Sequence, residues 1–159
     1  MSDLPLRATL SVRFKTLHED RVFGSSRCCV EGVLSVGDLR ESFLSPTDYW
    51  QIDDYQRSWA ENLALIRQRE NGYFATDVTD PPSAALLIVW PVVWSRGVAY
   101  LTQKLVLRSN ARVEFHPKNL PELIDFPYLE RSVPYVSTWV LSELDLLNAY
   151  VGGTSSPDD

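Results

Sequence analysis

Two histidines, two cysteines and a single methionine are present in 159 residues, and basic residues are outnumbered. Each shortage narrows the possible functions. Fifteen Lys and Arg stand against twenty-one Asp and Glu, for a formal net charge of -6. A general nucleic-acid binder needs a basic stripe that displaces counterions from phosphate, so the composition argues against a nucleic-acid partner. The two cysteines are neighbours, Cys28 and Cys29. In an extended chain they point to opposite faces, so they neither pair with each other nor form a Cys-x-x-Cys metal site. A reducing cytosol is the expected compartment. The longest apolar run, residues 84–94, is interrupted by Pro91 and is too short to span a bilayer. The first ten residues contain no apolar core of signal-peptide length. A cytoplasmic chain without a membrane partner is expected.

Catalytic material is equally sparse. His18 and His116 both fall in polar, turn-like segments with no nucleophile beside them. Arg27 is the one cation close to the cysteines in sequence, which favours buried structural thiols over a nucleophile. No glycine-rich loop opens a helix to cradle phosphate, since Gly152-Gly153 lies at the tail. No catalytic residue, metal site or cofactor is expected.

What the chain does have is patterned apolar residues. Residues 7–14 alternate, with Ala8, Leu10, Val12 and Phe14 on one face, as in a half-buried strand. Residues 17–21 look turn-like. A second strand is expected over 27–36, broken by Gly32 and closed by Gly37-Asp38, followed by a connector over 42–48. Residues 84–94 are apolar on both faces and predict a central strand, with Pro91 marking a bulge or a locally free edge. Ser95-Arg96-Gly97 turns the chain into a return strand over 98–107. A loop with one helical turn is expected over 117–126, and a short strand over 135–140. Ser142 caps a last helix reaching Tyr150, with Leu144, Leu147 and Val151 on one side.

Residues 49–59, YWQIDDYQRSW, hold two tyrosines and two tryptophans. Ile52, Tyr55, Trp59, Leu63 and Ile66 recur at three- and four-residue steps and make one apolar stripe of a helix. Asp53 and Asp54 occupy its first turn, where carboxylates suit the positive end of the dipole, and Asn71-Gly72 is expected to close it. The aromatic richness is therefore mostly a packing face. The order of elements predicts an α+β fold: a mostly antiparallel sheet with a central amphipathic helix and a C-terminal helix packed on it. One domain over residues 1–151 and a disordered tail over 152–159 are expected.

The same stretch resembles a segment of bacterial immunity proteins from contact-dependent growth inhibition and related polymorphic toxin systems. The matching residues are Tyr49, Trp50, Ile52, Asp54, Tyr55, Trp59 and Leu63. The following strands with Trp90, Tyr100-Leu101 and Trp139, and a leucine-rich end, extend the likeness over residues 45–151. Gln51 stands where that pattern leads one to expect Ser or Asp. The resemblance implies an antitoxin that binds a cognate toxin domain one to one. That toxin is often a nuclease, commonly basic, and its neutralisation needs no chemistry of the inhibitor's own. An acidic inhibitor would draw such a partner in at long range.

The motif residues look structural, so the interface must lie elsewhere. The toxin-binding candidates are acids near loops and helix ends, with aromatic anchors among them: Glu19, Asp20, Asp77, Asp80, Trp94, Glu122, Asp125, Tyr128 and Glu130. Asp53, Asp54, Tyr73, Phe115 and Tyr135 are further candidates of the same kinds. Two other classes stand beside this one. A small enzyme or ligand-binding domain would use a sheet–helix pocket where His116, tyrosines and carboxylates converge. A self-associating structural subunit would need no toxin.

Overall fold

A computed structural model describes residues 10–15, 20–21, 28–133 and 137–152. These form two five-stranded sheets joined by one long helix. In the first sheet β3 (Cys28–Val36) is central. β1 (Leu10–Phe14) and the two-residue β2 (Asp20–Arg21) run antiparallel along one edge, and β4 (Leu39–Pro46) along the other. Leu10, Val12 and Phe14 point into the core, as their alternation dictates. Gly32 does not break β3. It sits opposite Phe43, whose ring lies 2.3 Å from where a Cβ would be, so the glycine makes room for an aromatic ring laid across the strand.

The connector expected over 42–48 is mostly strand, and so is part of the turn-like stretch at 17–21. β4 exposes Arg40, Glu41 and Ser42 at the sheet edge and is held by its ladder with β3. A charged edge strand has no apolar alternation to announce it.

Helix α1 (Ile52–Arg67) follows the predicted stripe and buries Tyr55, Trp59, Leu63 and Ile66. It ends earlier than Asn71-Gly72: Gln68 is the cap and Arg69 takes the left-handed conformation at φ 62°. Gly72 serves a different purpose. A Cβ there would stand 2.8 Å from Ile66 and 3.1 Å from the Asn62 carbonyl, so glycine lets β5 (Gly72–Asp77) pass close under the helix.

In the second sheet β6 (Leu86–Ser95) is central, with β5 along one edge. The return strand runs along the other edge in two pieces, β7 (Val98–Leu101) and β8 (Lys104–Leu107), in one unbroken register. Their gap falls opposite Pro91. The Thr102 N–H donates to the Pro91 carbonyl at 3.0 Å, but proline has no N–H to return. β9 (Trp139–Leu141) pairs with β7.

The loop expected over 117–126 is more helical than predicted. A 3-10 turn at Pro117–Asn119 leads into α2 (Leu120–Ile124) and then α3 (Phe126–Ser132). Asp125 separates the two helices at φ 59°, and its carboxylate caps α3. The last helix is shorter than predicted. α4 (Glu143–Leu147) starts at the Ser142 cap as expected, but it buries Leu146 and leaves Leu144 and Leu147 exposed. The chain then becomes β10 (Tyr150–Gly152), paired parallel with β1. Gly152 thus belongs to a strand rather than to a tail, and residues 153–159 lie outside the described residues. The architecture is α+β with mostly antiparallel sheets.

Candidate functional site

The aromatic segment sits where the two sheets meet. Trp59 is fully buried beside Phe14 of β1, with ring centroids 4.8 Å apart, and meets Phe43 of β4 edge-on at 6.0 Å. Its indole N–H donates to the Ala75 carbonyl of β5 at 2.7 Å. One side chain therefore touches the first sheet with its rings and the second with its polar atom. Tyr55 does the same a turn earlier. Its hydroxyl donates to the Pro46 carbonyl at 2.7 Å and accepts from the Val78 N–H at 3.1 Å. Burial pushes its phenol well above the usual tyrosine range. Trp50 covers Tyr55 edge-on at 5.3 Å. Asp54 accepts from the Gln51 N–H at 2.9 Å and pairs with Arg57, which accounts for it as a helix-start carboxylate. Tyr55, Trp59 and Leu63 are buried, while Tyr49, Trp50, Ile52 and Asp54 are half-buried around them.

The candidate interface residues do not form one patch. Asp77 ends β5 and accepts from the Thr79 hydroxyl, and Asp80 opens the following turn. Glu122 lies exposed in the middle of α2, and Asp125 lies exposed just past its end. Trp94 and Glu130 are brought together by Asn71, which the sequence points to only as a helix stop. Its Oδ1 accepts from the Trp94 N–H at 2.8 Å and its Nδ2 donates to Glu130 at 3.1 Å. Trp94 is half-buried, and its indole N–H donates to the Ile66 carbonyl at the end of α1 while Arg69 stacks on its ring. It is partly committed to capping the helix. Tyr128 is exposed. Phe115 is buried, with the Arg108 guanidinium 4.8 Å from its ring centre, and is not an anchor. Tyr73 is half-buried beneath α1. Asp20 pairs through its backbone with Cys29. Glu19, His18 and Tyr135 lie outside the described residues.

Arg67, expected only as a cation near the end of its helix, also has a long-range role. Its guanidinium donates to the carbonyls of Leu146 and Ala149, each at 2.9 Å, and so caps the C-terminal end of α4. An arginine at a helix end suits its own helix dipole, and that local reason hid the longer-range one.

Tyr49, Asp80, Glu114 and His116 do converge, in a cleft of about 410 Å³ outside both sheets. The imidazole there is already engaged. Its Nδ1 accepts from the Lys118 N–H at 3.1 Å, so the proton sits on Nε2 and is directed to the Tyr49 hydroxyl 3.2 Å away. Glu114 is paired with Lys118 at 3.0 Å, which holds its carboxyl below the usual range. The group clasps the 3-10 turn to the start of α1. The sheet–helix interface that a ligand-binding reading requires is filled by Tyr55, Trp59 and Ile66, all with no exposure. Among the described residues no three His, Cys, Asp or Glu side chains cluster as metal ligands, and no helix is long and apolar enough to cross a membrane.

Comparison with curated proteins finds no match. A solved structure, a CdiA-CT/CdiI toxin and immunity complex from Enterobacter cloacae, shares the fold at a TM-score of 0.69 and 16% identity, over 88% of this chain and 94% of that one. The family model described as the CdiI N-terminal domain matches residues 45–148. That span runs from the end of β4 through the Tyr55–Trp59 junction and the hairpin strands of the second sheet to α4, and it makes this chain a member of the CdiI family of contact-dependent growth inhibition immunity proteins.

Proposed function

We propose that this chain binds a cognate toxin domain, a basic nuclease, in a one-to-one complex in the cytoplasm and neutralises it by occupancy alone. Family membership over residues 45–148 is the observation that carries the reading. The similar fold of the Enterobacter cloacae toxin and immunity complex supports it. So does the division of labour in the chain: Tyr55, Trp59 and Leu63 of the motif are buried in the core, while Asp80, Glu122, Asp125 and Glu130 stay exposed. A net charge of -6 raises the capture rate of a basic partner, and buried contacts set the lifetime of the complex. Residues 1–151 act as one domain in this reading, and no step of chemistry is assigned to it.

The test is growth. The toxin domain encoded by the reading frame preceding this one is induced in a sensitive strain, with and without this chain. Rescue with this chain, and none with an unrelated acidic protein of similar size, is the expected result. Arrest in both cultures would overturn the reading.

A further inference from the structure

The return strand carries an unpaired edge. Two bonds fix which of its residues face β6: Thr102 N–H to the Pro91 carbonyl and Arg108 N–H to the Ala85 carbonyl, each 3.0 Å. Both pairs fall on the register that sets Leu86 opposite Leu107 and Val89 opposite Lys104. Antiparallel pairing alternates between residues that bond across the ladder and residues that turn away. Lys104 and Val106 therefore face β6 with their backbone groups, whereas Leu105 and Leu107 present theirs on the opposite edge. Along β7 that edge is occupied by β9, with Ala99 opposite Leu141 and Leu101 opposite Trp139. Along β8 no described strand pairs with it.

The edge is neither blunted nor flat. A groove of about 240 Å³ runs beside it, bordered by β8, the loop around Val113, and α2. Its two faces differ in chemistry. Leu105, Leu107 and Val113 are exposed by 52%, 38% and 43% and give one apolar wall. The other face is identified by Lys104, whose ammonium donates to the Ile124 carbonyl at the end of α2. On that side Glu122 and Asp125 reach the groove, both exposed. Arg112 also borders it. Lys104 is held on the carbonyl and feels the charge of Asp125, whose carboxylate also caps α3, so Glu122 is the acid left facing the groove on the α2 side. Sheets with an open edge commonly bury it under charge or a covering element, and an open edge beside a groove is a template for an added strand.

We propose that the outer edge of β8 receives an extended segment of the toxin as an added strand, its side chains alternating between apolar residues against Leu105 and Leu107 and basic residues against Glu122. The proposal rests on the toxin-binding reading above and specifies where and how the partner docks. Backbone bonds from Leu105 and Leu107 give affinity, and the two-faced groove selects the alternating pattern.

Amide exchange followed by NMR on labelled protein, alone and saturated with the unlabelled toxin domain of the preceding reading frame, separates the claims. In the free protein the Leu105 and Leu107 amides exchange fast and the Val106 amide slowly. In the complex all three are slow. A complex that forms while Leu105 and Leu107 remain fast overturns the β8 proposal and leaves the immunity reading standing. Absence of any complex overturns the immunity reading itself. Protection of both amides in the free protein, rising with concentration, would assign the edge to a second copy of this chain and overturn the proposal. Leu105→Pro provides a second readout, because the amide it removes makes no bond to β6. It should keep the melting profile of the wild type and weaken toxin binding about tenfold or more, the equivalent of one or two lost hydrogen bonds. Unchanged affinity in a folded Leu105→Pro would count against the added strand.

Discussion

The junction around Tyr55 and Trp59 and the outer edge of β8 are both built from apolar residues with backbone groups to satisfy, and they come out opposite. At the junction the loose backbone groups of β4, β5 and the following loop are met by side chains: Ala75 by Trp59, Pro46 and Val78 by Tyr55, and Tyr73 by the Asn62 amide oxygen. No buried side-chain polar atom among the described residues lacks a partner. At β8 the outward groups of Leu105 and Leu107 meet no described strand, and two leucines stand in water beside them. Aromatic density marks the place where the molecule closes on itself. The surface proposed for a partner is marked by backbone that no described strand pairs, which composition does not reveal.

Substitutions sharpen that contrast, beginning at the closed end. Trp59→Ala should lower unfolding free energy by about 3–5 kcal/mol in urea titrations, since it empties the contact between sheets and strands the Ala75 carbonyl. A loss under about 1 kcal/mol would remove the junction from the centre of the core. Gly72→Ala should cost about 1–3 kcal/mol, because its Cβ would press on Ile66 and the Asn62 carbonyl. Full stability in that variant would show that β5 does not need its close approach to α1.

Tyr55→Phe should cost about 1–3 kcal/mol near neutral pH, because it leaves the Val78 N–H and the Pro46 carbonyl without their shared partner. It also has a pH signature. Burial raises the folded-state pKa of Tyr55 above its ordinary 10.0, so the fold keeps a proton that the unfolded chain releases. The stabilisation from that proton is whole below about pH 10 and declines as pH rises beyond it, by up to about 1.4 kcal/mol per pH unit. Tyr73 shifts in the same direction. Lys104 is shifted down by burial, and its contribution rises with pH as the value of 10.5 is approached from below. The difference between wild type and Tyr55→Phe isolates Tyr55, and the gap between them should narrow above pH 10. A gap that widens there would contradict the assigned burial.

Away from the junction the effects on stability should be small. Arg67→Met, which removes the cap on α4, should cost about 1 kcal/mol and speed amide exchange near Leu147. Glu122→Lys should change stability by less than about 0.5 kcal/mol while slowing association with a basic toxin, more at low salt than at high salt. Equal association rates at low salt would detach Glu122 from the interface.

Long periodic segments were legible in the sequence. α1 and β6 could be read because sixteen and ten residues, respectively, carry one pattern each. Pro91 announced a bulge or a locally free edge, and the structure shows a break between β7 and β8 opposite it in an unbroken register. Short elements fixed by distant partners were not legible. β4 is charged and exposed over its middle, β10 is three residues held by β1, and α3 continues past the one helical turn that α2 supplies. The exposed leucines of α4 were read as its buried face because spacing does not say which way a five-residue helix turns. For the site, the acids could be named but not grouped. Leu105 and Leu107 looked like any strand residues, since an unpaired edge depends on which strand fails to arrive.

The measurement that bears most directly on the account is the composition of the complex after a high-salt wash. This chain and the toxin domain of the preceding reading frame are co-expressed, captured through a tag on one partner, washed, and weighed intact. The account predicts one copy of each chain still bound, because screened surface charge alone would not retain the partner. Elution of the tagged chain by itself would contradict it.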